Sequence, residues 1–127
     1  KLEDVILKPD SAKNADELRL GEMLEFIHEN FTRNISLSDI ADVAGISERE
    51  ALRCFKRTIG ESPVQYLVKH RLMQSAYMLL TQPDISVSEV AANCGFDSPA
   101  YYAKRFKELY RCAPRDYRKH ILSRVTV

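Results

Sequence analysis

The chain of 127 residues has only three cysteines, Cys54, Cys94 and Cys112, and no Cys-x-x-Cys spacing. An odd number of isolated cysteines, each in or beside a helical apolar pattern, argues against a disulfide framework, a zinc site or a redox pair. They read as reduced core residues of a cytoplasmic protein. No apolar run reaches the roughly 18 residues of a membrane span, and no signal-peptide pattern opens the chain. No membrane partner is expected. There is no phosphate loop, no nucleophile with a base at a recognisable spacing and no metal-ligand cluster, so the chain reads as neither an enzyme nor a cofactor or metal carrier. His28 has no such partner and falls on a helix surface. Excess charge is also scarce, with a formal net charge of +1. That balance hides an asymmetry. Residues 1–30 carry four basic and eight acidic side chains, whereas residues 31–127 carry fifteen basic and ten acidic ones. The basic half hints at a polyanionic partner.

That half also contains a repeat. Ile35-Ser36-Leu37-Ser38-Asp39-Ile40-Ala41 reads against Ile85-Ser86-Val87-Ser88-Glu89-Val90-Ala91, offset by 50. After Gly95 the offset becomes 51: Phe55-Lys56 matches Phe106-Lys107, Pro63 matches Pro114 and Tyr66 matches Tyr117. A one-residue insertion accounts for the change. Between the copies, Ser62 and Pro63 suit a helix start, and the apolar period from Val64 to Leu80 predicts one long helix. Gln82-Pro83-Asp84 stops it.

Each copy predicts a short helix, about 37–44 and 87–94, opened by Ser36 or Ser86. Ser86-x-x-Glu89 fits a capping box fully, and Ser36-x-x-Asp39 resembles one. Leu37, Ile40, Ala41 and Val43 face inward in the first, and Val87, Val90, Ala91 and Cys94 in the second. Only four glycines occur in the chain. Two of them, Gly45 and Gly95, stand just past these helices, where a left-handed residue is needed. A second helix follows, about 48–58 and 99–110, capped by Ser47 and by Asp97 or Ser98. Ala51, Cys54, Phe55 and Thr58 face inward in one, and Tyr102, Phe106 and Leu109 in the other. This is helix, glycine turn, helix, twice. Upstream, Asp16 caps a helix to about Asn30, with Leu18, Leu20, Met23, Leu24, Phe26 and Ile27 on its apolar face. A final helix runs from Pro114 to about Ile121.

From about Leu18 to Arg118 the chain resembles the DNA-binding domain of the AraC/XylS family of bacterial transcription regulators. The residues that carry the resemblance are Ile35 to Ala41, Ile46-Ser47, Arg53 to Lys56, Gly60, Pro63, Tyr66-Leu67 and Arg71. The second copy adds Ile85 to Ala91, Gly95-Phe96, Tyr101-Tyr102, Phe106-Lys107, Pro114 and Tyr117-Arg118. The resemblance implies an all-α, seven-helix domain of two helix-turn-helix subdomains joined by a long bridging helix. Its parts would be 1–16 as a linker or the tail of a missing upstream domain, 17–61 and 83–127 as the subdomains, and 62–82 as the bridge. Lys1 rather than Met opens the chain, as expected of a piece of a longer protein. There are departures: Arg111 stands where the family usually has glycine, Ala51 replaces a usual core leucine, and Leu52 takes a position that usually points outward.

The resemblance further implies sequence-specific reading of double-stranded DNA in two adjacent major grooves, with an upstream effector or dimerisation domain and RNA polymerase as further candidate partners. A recognition helix offers its N-terminal half to base edges. In the first unit these residues are Glu48, Arg49, Leu52 and Arg53, with the two arginines suited to guanine and Arg53 at a position the family often uses. In the second they are Ser98, Pro99, Ala100, Ala103 and Lys104. Pro99 and Ala100 carry no polar group for readout, though alanine suits thymine methyl groups. Phosphate contacts fall to Lys56, Arg57, Arg105 and Lys107, and to the helix starts near Leu37 and Val87. The rival reading is a helical interaction module that has lost DNA binding.

Overall fold

The computed structural model describes residues 11–125 of the chain. Their regular structure is entirely helical, in seven helices. These are α1 (Ser11–Asn30), α2 (Leu37–Val43), α3 (Glu48–Thr58), α4 (Pro63–Thr81), α5 (Val87–Asn93), α6 (Pro99–Tyr110) and α7 (Pro114–Val125). Six of these begin where the caps and prolines require; Ser47 Oγ accepts from Glu50 N at 3.1 Å and Ser98 Oγ from Tyr101 N at 3.1 Å. Ser62 and Gln65 close a reciprocal pair at the start of α4, with bonds of 2.8 and 3.1 Å. Such pairs satisfy N–H groups that have no partner within the helix.

The chain forms two compact units. One takes α1 and Ile35–Tyr66; the other takes Phe31–Asn34 and the chain from Leu67 onward. The boundary between the units therefore falls within the long helix α4, between Tyr66 and Leu67. In the first unit Leu20, Met23 and Ile27 of α1 are buried with Ile40, Ala41, Ala51, Cys54 and Phe55. In the second, Val68, Leu72, Ala76 and Leu79 of α4 form one core with Val90, Ala91, Cys94, Phe96, Tyr102 and Phe106. Ser75 is buried there, but it donates to Leu72 O at 2.7 Å and accepts from Tyr102 OH at 3.0 Å. Burial pushes the Tyr102 phenol up to about 12 and the Cys94 thiol up to about 11.

Several expectations are corrected. Helix α1 begins at Ser11, so Asp16 lies inside it rather than at its cap. Of the expected linker over 1–16, residues 1–10 lie outside the described residues and 11–16 are helix. Leu18 is 72% exposed, and Val43, Thr58, Val64 and Leu109 also face solvent. Leu18 falls on the side of α1 opposite Leu20, Met23 and Ile27, and the other four stand in the first or last turn of their helices. The capping pair is also reversed. Ser36 and Asp39 make the full box, with Ser36 N donating to Asp39 Oδ2 at 2.9 Å. At the second unit Glu89 meets the Ser86 hydroxyl, 3.4 Å away, rather than the Ser86 N–H.

Candidate nucleic-acid interface

In both units the same backbone turn aims the second helix. Gly45 N donates to Asp42 O and Ile46 N to Ala41 O; Gly95 N donates to Ala92 O and Phe96 N to Ala91 O. This is the Schellman arrangement, which needs a left-handed residue just past the cap. Gly45 and Gly95 supply it with φ of 66° and 94°. The inserted residue falls in the second turn, where Asp97 lengthens Gly95–Ser98 relative to Gly45–Ser47.

Helix α3 buries Ala51, Cys54 and Phe55 and leaves Glu48, Arg49, Leu52, Arg53, Lys56 and Arg57 exposed. Spacings of one, four, five and eight residues put Glu48, Arg49, Leu52, Arg53 and Lys56 on one outward face. Arg49 and Lys56 have no ion-pair partner among the described residues. Arg53 differs. Its Nη1 and Nη2 donate to the two carboxylate oxygens of Asp16 at 3.2 and 3.0 Å. Its Nε and Nη2 also reach Glu50, at 3.3 and 3.1 Å. A guanidinium has five N–H donors, and these contacts occupy about four of them. Reading a guanine takes two donors side by side. As it stands, Arg53 anchors α3 to α1 through these donors.

Asp16 is the residue that sequence reasoning missed. It is 4% exposed and also meets Arg57 at 3.3 Å and Arg19 at 3.7 Å. The hydrogen bond from Arg53 holds its carboxyl below the usual carboxylate range, and the same guanidinium lowers Glu50. A signal was present: Asp16, Leu20, Met23 and Ile27 follow one another at helical spacing, so a carboxylate stands in register with three core positions.

On α6, Ser98, Pro99, Ala100, Ala103, Lys104 and Lys107 are exposed and Tyr102 and Phe106 are buried. Arg105 is taken up locally. Its Nη1 donates to Tyr101 OH at 2.9 Å, its Nε pairs with Glu108 at 3.0 Å, and its guanidinium lies 5.7 Å from the Tyr101 ring centroid. Tyr101, which is 44% exposed, joins this face without having been expected there. Leu37 and Val87 hold the first positions of α2 and α5, both half-buried.

Arginines brace the approaches to both units. Arg71 Nε and Nη2 donate to Phe31 O and Arg33 O at 2.6 and 2.7 Å. Arg118 donates to Leu79 O, Ile85 O and Gln82 O at 2.9, 2.7 and 3.2 Å. Charged donors on carbonyls that have no helical partner fix the segments just before α2 and α5. Among the described residues no His, Cys, Asp and Glu cluster could hold a metal, and no helix is long and apolar enough to cross a membrane.

Two helix-turn-helix units, each with an outward second helix, define a DNA-reading class of domain. The helix-turn-helix domain family matches residues 40–120. The chain is 31% identical to the DNA-binding domain of AdpA, solved in complex with a target DNA, with a TM-score of 0.78 over 83% of this chain and 94% of that one. It is 32% identical to the HTH-type transcriptional regulator YdeC of Bacillus subtilis, over 89% of this chain and 38% of the relative. It is 34% identical to the HTH-type transcriptional regulator GbdR of Pseudomonas aeruginosa, over 80% of this chain and 27% of the relative. The chain belongs to the AraC/XylS family of transcriptional regulators and corresponds to its DNA-binding domain. It spans well under half the length of these curated relatives.

Proposed function

We propose that this chain binds duplex DNA sequence-specifically through α3 and α6, in two successive major-groove segments, and so regulates bacterial transcription. The observation that carries the reading is the doubled motif: two glycine turns with the same backbone hydrogen bonds, each presenting an exposed second helix. In the first unit Arg49 donates to a guanine, Leu52 packs on a base edge, and Glu48 accepts from a cytosine amino group. In the second, Ala100 and Ala103 pack on thymine methyl groups, Ser98 and Pro99 line the approach, and Lys104 donates to a base or phosphate. Lys56 and Lys107 take phosphates, with the N–H groups at Leu37 and Val87. Arg57 and Arg105 contribute charge only in part, because Asp16 and Glu108 already hold them.

An upstream effector or dimerisation domain and RNA polymerase complete the proposed set of partners, with action in the cytoplasm. Selection of sites from random duplex DNA, followed by binding at several salt concentrations, tests the reading. A selected consensus with affinity that falls steeply with salt supports it. Enrichment of no sequence and a flat salt response would leave the interaction-only module.

A further inference from the structure

The Asp16 cluster ties α1 to the helix that the DNA-binding reading presents to the groove. One carboxylate of α1, almost fully buried, takes two arginines from the outward face of α3, while Glu50 of α3 takes one of them again. Arg53 remains 43% exposed on its side chain and Arg57 54%. Both stand at the surface, and both carry carboxylate partners. The remaining cations on this face of the helix, Arg49 and Lys56, have none among the described residues.

We propose that Asp16, with Glu50, is a positioning and specificity-determining residue for DNA reading: it holds Arg53 and Arg57 against the protein, away from backbone phosphates. The inference rests on the proposed DNA-binding function. Specificity is a difference of affinities, and weakening the wrong complexes raises it as well as strengthening the right one does. A free arginine binds any phosphate it meets, so it stabilises every pose on random DNA. An arginine held by two carboxylates has to leave them first. On the cognate site the base contacts of Arg49 and Leu52 already fix the pose, so freed arginines add less there. The bidentate grip also fixes the roll of α3 on α1, and with it the direction in which Arg49 points.

The test uses the chain with Asp16→Asn, which keeps the size of the side chain and removes its charge. Binding is measured on a duplex selected from a random pool and on a random-sequence duplex, across a salt series, with a thermal melt beside it. Affinity for the random duplex is expected to rise about threefold or more, with a salt slope steeper by about one, because a released guanidinium displaces a further counterion. The ratio of selected to random affinity is expected to fall. A purely structural Asp16 would lower both affinities together with the slope unchanged, and that result overturns the proposal. Glu50→Gln, on an exposed turn of α3, is the second variant, with a smaller change of the same sign. A fall or no change in its random-duplex affinity also overturns the proposal, whether or not Asp16→Asn folds. Failure of the wild-type chain to bind either duplex overturns the functional reading and this inference with it. Wild-type binding with unresponsive variants overturns the inference alone.

Discussion

Arg111 and Gly60 occupy the same place in the two repeats and share a left-handed backbone, with φ of 67° and 88°. The first unit meets that conformation with glycine, while the second forces an arginine into it at the end of α6. A side chain there brings Cβ close to the following carbonyl oxygen, a strain of roughly 1–2 kcal/mol. Arg111→Gly relieves the strain but loosens the unfolded chain. Denaturant melts are expected to show a net gain of up to about 1 kcal/mol. A loss would mean that the Arg111 side chain makes contacts worth more than its strain.

The two turn glycines differ in what surrounds them. A Cβ on Gly45 meets nothing within 4 Å, so substitution there costs only the left-handed backbone. A Cβ on Gly95 would stand 2.6 Å from Phe31 O and 2.8 Å from Arg71 Nε. Phe31 O is the acceptor of the Arg71 bond, so the clash cannot be relieved without breaking that brace. Gly95→Ala is expected to lower stability by more than Gly45→Ala, by about 1 kcal/mol or more. Equal losses in parallel melts would show that the 31–34 segment yields easily.

In the proposed interface, base readout in the first unit falls to Arg49. Arg49→Ala should cost about 1–3 kcal/mol on the selected site and relax preference at one base pair. Lys56→Ala should weaken selected and random duplexes alike and reduce the salt slope by about one. Arg53→Ala should lower the melting temperature, because it leaves the buried Asp16 carboxylate short of its main partner, and should relax preference at no single base pair. A base-specific loss on Arg53→Ala would make it a reader as well as an anchor.

Asp16 and Glu50 also set an acid response. The Arg53 hydrogen bonds lower both carboxyls in the folded chain. A group depressed on folding contributes stability that is complete above its unfolded value, near pH 4, and is lost as pH falls through its folded value. Unfolding free energies from neutral pH downward should therefore decline below about pH 4, and Asp16→Asn should flatten that decline. An unchanged acid limb in the variant would show that other carboxylates carry it.

Most of this architecture was legible because its signals are local. Ser47 before Glu48 and Ser98 before Pro99 mark the starts of α3 and α6, and Gly45 and Gly95 mark the turns within a residue of where they lie. Apolar spacing identified Cys54, Phe55, Tyr102 and Phe106 as core. What was not legible is pairing across the fold. Asp16 is a good helix cap by residue type, which hid its place inside α1. The partner of Arg53 lies 37 residues away, so an outward arginine looked available when its donors were in use. Leu18 and Val43 are apolar, yet only packing decides which apolar side chains are covered.

Whether both units of one chain read DNA is decided by a hydroxyl-radical footprint on a selected site. Protection is expected over two successive turns, with Arg49→Ala weakening one half and Lys104→Ala the other. Protection of a single half-site, or none separable from random duplex, would contradict that expectation.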